Sequence, residues 1–144
     1  IEYIDELRIA MHHNQAAINQ MKEFIHSHRD YFVKKNLLWV YEIEQFYNNR
    51  IVIQHFKSLE DYLDNFETLL RYCYQNFEGI TSARNKAQLS NYDEYYIRYR
   101  RAVDAHNRFN VKRIGFQNQF LKKYPEIQPY LPAERQAEPF RLWK

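Results

Sequence analysis

Apolar residues return along the first part of the chain with a helical beat. Ile4, Met11, Ile18, Ile25 and Phe32 recur every seven residues, and Leu7, Asn14, Met21 and His28 fall between them at the complementary heptad positions. This is the seam of a helix packed on another helix, with Asn14 and His28 as polar interruptions. The helix either continues to about Tyr47 or breaks near Ser27–Asp30, where Ser27 would cap a second helix with Asp30 at its third position. The next break is predicted at Asn48–Arg50, and the short β-branched run Ile51–Val52–Ile53 reads as buried helix or connection. Ser58–Leu59–Glu60–Asp61 has the form of a capping box opening a helix, with Leu59, Leu63, Phe66, Leu70, Cys73 and Phe77 on one face. Gly79 then stands where a left-handed residue closes such a helix, with Ile80 beside it.

The stretch from Thr81 to Asn91 is polar and carries no clear period. A last long helix is predicted from about Asn91, with Asp93 and Glu94 in its first turn. Its stripe is Tyr96, Tyr99, Val103, His106, Phe109, Phe116 and Phe120; Lys122 and Lys123 suit its end and Pro125 stops it. Gly115 inside it costs about 1 kcal/mol against alanine and marks a place for a bend. The pattern therefore predicts an all-α fold, an antiparallel bundle of three to five helices, two of them long. The long N-terminal and C-terminal helices are expected to pack as antiparallel partners. Residues 1–124 form the helical domain. All four prolines fall in the last 20 residues, so 125–144 reads as an extended proline and aromatic tail. Tyr130, Phe140 and Trp143 would anchor that tail on its own domain or on a neighbouring subunit.

Composition narrows the functional classes. Aromatics reach 17%, with 13 Tyr and 10 Phe, and there are only two glycines. Tyrosine suits interfaces, because it packs a ring and keeps a polar tip. So few glycines argue against most phosphate-cradling loops. The single cysteine, Cys73, excludes an internal disulfide, and no apolar run approaches the ~18 residues of a membrane span. Net charge is +3, too mild to imply nucleic acid by itself. The charge is nevertheless segregated: Leu59–Glu78 holds five carboxylates and one basic residue, whereas Arg84–Lys123 holds ten basic residues and three carboxylates.

Catalytic and metal signatures are weak. Glu23–Phe24–Ile25–His26 is a Glu-x-x-His unit, and His26 and Asp30 sit four apart, but di-iron bundles need a second such unit and further inward carboxylates. Cys73 lies on an apolar helical face, where a thiol packs rather than reacts. No nucleophile elbow, phosphate loop or His-Glu-x-x-His occurs. No catalytic, cofactor or metal residue is assigned, and the chain is read as a non-enzyme. The segment Tyr95–Phe109 is the strongest candidate: Arg98, Arg100, Arg101 and Arg108 are threaded between aromatic rings. Such a helix can grip phosphates and stack on bases, or it can be a solvated face on which Arg100 pairs with Asp104. Arginine and tyrosine are also what protein interfaces enrich, and a dedicated nucleic-acid domain carries more net charge. Protein docking is the reading adopted, with Tyr95, Arg98, Tyr99, Arg100, Arg101, Tyr130, Phe140 and Trp143 at the interface. Anionic lipid headgroups are a further partner class.

Two family resemblances agree with that reading. "YDEYYIRYRRAVD" (Tyr92–Asp104) followed by "QPYL" (Gln128–Leu131) is similar to the small helical matrix-side subunit of mitochondrial ubiquinol–cytochrome c reductase. The likeness covers about 40 residues. It implies a non-catalytic accessory subunit in a respiratory complex of the mitochondrial inner membrane, bound peripherally. "NFETLLRYCYQNFEGITSAR" (Asn65–Arg84) and "YRRAVDAHN" (Tyr99–Asn107) resemble helices of LemA proteins, bacterial membrane-associated helical domains. That likeness implies a free-standing helical domain. Neither supplies catalytic residues.

Overall fold

A computed structural model describes residues 1–37, 39–82 and 85–130. The described residues form six α-helices and one 3-10 helix, with no strand among them. Helix α1 spans Glu2–Ser27, α2 Arg29–Lys34, α3 Trp39–Asn48, α4 Arg50–Gln75, α5 Phe77–Thr81 and α6 Lys86–Lys123; Pro125–Tyr130 is the 3-10 helix. The all-α expectation holds.

Local chemistry sets the boundaries, in places differently from the expectation. Helix α1 does break at Ser27, but Ser27 does not cap α2. Its hydroxyl turns back and donates to the Glu23 carbonyl, a bond that competes with the helix ladder. His28 sits between the two helices with its ring stacked on Phe24 at 4.2 Å. Helix α2 closes on Asn36, the only non-glycine residue with positive φ (55°) among the described residues. Leu37 N–H donates to Phe32 O at 2.9 Å and Asn36 N–H to Val33 O at 3.1 Å, a Schellman closure in which asparagine replaces glycine. The predicted break at Asn48–Arg50 is present, and Asn49 caps α4 by accepting from Ile51 N–H at 2.9 Å.

Four further expectations of local structure are overturned. The Ser58 capping box is absent: Ser58 is buried in the middle of α4, one helix from Arg50 onward. Gly79 is not left-handed but lies inside α5, and its missing Cβ makes room for the Gln88 side chain, whose Oε1 would lie 1.4 Å from an added methyl. Helix α6 starts at Lys86 rather than near Asn91, because Asn85 accepts from Gln88 N–H at 3.1 Å and caps it there. Pro125–Tyr130 is a 3-10 turn with Ile127 buried, not an extended strap. Residues 131–144, with Phe140 and Trp143, lie outside the described residues, as does the side chain of Tyr130.

The principal contact is α4 against α6. Tyr72 meets Tyr95 (4.8 Å between ring centres), Phe66 meets Tyr99 (5.2 Å), and Ser58 meets His106, so the two helices run antiparallel. Helix α1 lies antiparallel to α4: Arg8 bonds Asp64 and Glu67 near its start, and Ile18 faces the same cleft as Ile53 and Phe56. Helices α1 and α6 therefore run in the same direction, contrary to the expected antiparallel partnership. A heptad stripe specifies that a helix has a neighbour but not which one. The central core is Ile4, Tyr62, Leu63, Leu69, Tyr99 and Val103. Of the α1 seam, Ile4, Met11 and Ile25 are buried, while Asn14 and His28 are exposed.

Candidate interaction surface

The guanidinium segment lies on α6, whose 38 residues make a rod about 57 Å long. Tyr99 is 5% exposed and its ring belongs to the chain's own core. Tyr95 is half-buried against Tyr72, with the Arg98 guanidinium 5.9 Å from its ring centre. Arg98, Arg100 and Arg101 are exposed. Arg98 pairs with Glu94 one turn earlier. The Arg100–Asp104 pair of the solvated-face alternative does not form among the described residues, and Arg101 has no ion pair there either.

Arg98 and Arg101 do not stand on an open convex face. Together with Ala102, Ala105 and Phe109 they form one wall of a groove of about 550 Å³, and Gln54, Lys57, Ser58, Asp61 and Asn65 of α4 form the other. The α4 positions follow a helical stripe, so an antiparallel pair necessarily brings them opposite the α6 row. Arg100 is not among the groove residues. Lys57 and Asp61 escaped the sequence reading because the misplaced cap at Ser58 put a helix start where the groove wall stands. With α4 continuous from Asn49, the spacing 54–57–61–65 is the signal that finds them.

Beneath the groove lies a buried polar seam. Ser58 Oγ donates to the His55 carbonyl at 2.7 Å, which uses its only proton. It also lies 3.0 Å from His106 Nδ1, a contact whose direction depends on the ring tautomer. The His55 and His106 rings are 5.2 Å apart. Asn110 is buried and accepts from Arg113 at 3.0 Å, and Arg113 also donates to Gln117 at 2.7 Å. Burial, with Arg113 and His106 adding to it, pushes the His55 imidazole down to about 4. Burial and then Arg113 lower His106 in the same direction. His55 Nδ1 and Asn107 Oδ1 are buried with no hydrogen-bond partner among the described residues.

A serine 3.0 Å from a histidine resembles a catalytic dyad, but this serine is buried at 5% exposure. Its hydroxyl bonds the His55 carbonyl of its own helix and is not presented to a substrate. Cys73 is half-buried and burial raises its thiol pKa, so it stays protonated. Glu23, His26 and Asp30 are all exposed, and no group of three metal-ligating side chains occurs among the described residues. No helix of the described residues is long and apolar enough to cross a membrane. No family model, curated protein or solved structure matches the chain.

Proposed function

We propose that this chain is a non-catalytic docking module that holds a partner protein along the α4–α6 groove. The observation that carries the reading is the groove itself. Two alanines, Ala102 and Ala105, line it beside Arg98 and Arg101 on the α6 wall, and Lys57 adds a cation from the α4 wall. Small side chains let another backbone approach closely, and arginine beside an aromatic ring is the pairing that anchors protein interfaces. Arg101 has no ion pair among the described residues, which leaves its guanidinium available to a partner. Both family resemblances point to the same class, helical proteins without catalytic residues. The host that the first implies, a respiratory complex of the mitochondrial inner membrane, is the one to test first.

The test is site-specific photo-crosslinking in the native source. A benzophenone amino acid at Ala105, in the groove, is expected to trap protein, and the same group at exposed His13 of α1 is not. Crosslinks from both positions alike, or nucleic acid in place of protein at Ala105, would overturn the docking reading.

A further inference from the structure

The geometry points to an acidic amphipathic helix of the partner protein as the occupant of this groove, an inference that rests on the docking reading and names its ligand class. Length comes first. The α4 wall runs from Gln54 to Asn65 and the α6 wall from Arg98 to Phe109. Each covers eleven residue steps, about 17 Å of helix axis, so the trough is about three turns long. Its lining includes the short side chains Ala102 and Ala105 of α6 and Ser58 of α4, with Phe109 last along the α6 wall. A third helix laid between two antiparallel ones needs this shape, because close approach depends on small residues at the contact.

Charge selects among the polymers that might lie there. The lining carries three cations, Lys57, Arg98 and Arg101, against one carboxylate, Asp61. A helix with carboxylates on both edges of an apolar stripe meets a cation on each rim while its stripe covers the alanines and Phe109. A nucleic-acid backbone is a poorer fit. It presents phosphate at every step, and here Asp61 stands within the trough. An anionic membrane surface is flat and cannot reach the floor of a trough. Asp61 adds a specificity element, since the matching position of the occupant must be basic or a hydroxyl donor and an aspartate or glutamate there would be repelled.

The inference is tested with the whole chain and a labelled synthetic peptide of about 18 residues, a helix with a Leu/Ala stripe edged on both sides by Glu. Its companion has Gln in place of each Glu. Fluorescence anisotropy is expected to show saturable binding of the Glu peptide that weakens as salt rises. Lys57→Glu and Arg101→Glu should each reduce the affinity about tenfold or more. Arg108→Glu, exposed and outside the groove, should leave it within about twofold. Equal affinity for the Gln peptide, indifference to Lys57→Glu, or no saturable binding at all overturns the inference. So does tighter binding of a thymidine oligonucleotide, which assigns the groove to nucleic acid, or concentration-dependent dimerisation by light scattering abolished by the same substitutions, which assigns it to a second copy. If the peptide fails while Ala105 still traps protein in the native source, only the acidic-helix occupant is lost. If both fail, the docking reading falls with it.

Discussion

Acid should unfold this protein in a window set by the buried imidazoles rather than by its carboxylates. His55 titrates near 6.5 when unfolded and at about 4 in the folded chain, chiefly because of burial. A base whose folded pKa is depressed adds stability that is fully present above its unfolded value and is lost as pH falls towards the folded one. At 1.36 kcal/mol for each pH unit, the total for His55 is about 3 kcal/mol, of which about 2 kcal/mol disappears between pH 7 and pH 5. These are upper values, since His55 keeps partial contact with solvent. His106 shifts in the same direction and steepens the loss. Glu67 behaves oppositely in position. Arg8 and then Arg71 hold its carboxylate below the ordinary range, so its contribution survives until the pH drops below about 4.5. The two effects therefore separate. Urea unfolding of the wild type and of His55→Leu, measured at intervals from pH 7 to pH 5, should show the wild-type midpoint falling steeply and the variant's falling less by the His55 share. The substitution also removes the partnerless Nδ1, so the variant should not be markedly less stable at pH 7. Parallel pH curves for the two proteins would refute the reasoning.

Three further outcomes are expected. Arg8→Ala removes the charged bonds to Asp64 and Glu67 and should cost about 2 kcal/mol in chemical denaturation, with the rise in amide exchange largest in α1. Tyr62→Ala, at 1% exposure in the central core, should cost about 4 kcal/mol, whereas Tyr96→Ala at 42% exposure should stay within about 0.5 kcal/mol in the same assay. Ser58→Ala removes the hydroxyl that contacts buried His106 and should cost about 2 kcal/mol, and a fluorophosphonate probe should leave Ser58 of the wild type unlabelled.

How much was legible in the sequence differs from element to element. Periodicity was a sound guide wherever a helix is amphipathic: Ile4, Met11 and Ile25 of α1, and Tyr99, Val103 and His106 of α6, are buried where the stripe put them. Tyr96, placed on the same stripe, is exposed, because the buried arc of α6 is narrow and its neighbour α4 covers only one side. Helix boundaries were read less well. Ser58 followed by acidic residues satisfies the capping pattern, but so does a buried mid-helix serine that bonds its own helix, and the two differ only in what lies across from them. Asn85 and Asn36 show the complementary failure, since a single asparagine can cap, close a helix in the left-handed region, or do neither. Gly79 leaves room for a side chain nine residues away rather than supplying a left-handed backbone. The α6 cations of the site, Arg98 and Arg101, were visible as part of a cluster, and Lys57 of α4 was not. Neither was their organisation into two rims, because it depends on which helix faces which, and that is a property of the three-dimensional partnership.

Ser58 faces two ways: it lines the trough and its oxygen lies 3.0 Å from His106 Nδ1. The His106 ring is shielded from water, so its resonance reports the field at that oxygen. A molecule settling over Ser58 changes the field at that oxygen and shifts the resonance, whereas one that attaches elsewhere does not. The protein thus carries an intrinsic nuclear-magnetic reporter of occupancy, one that reads a single face of the molecule without any added label.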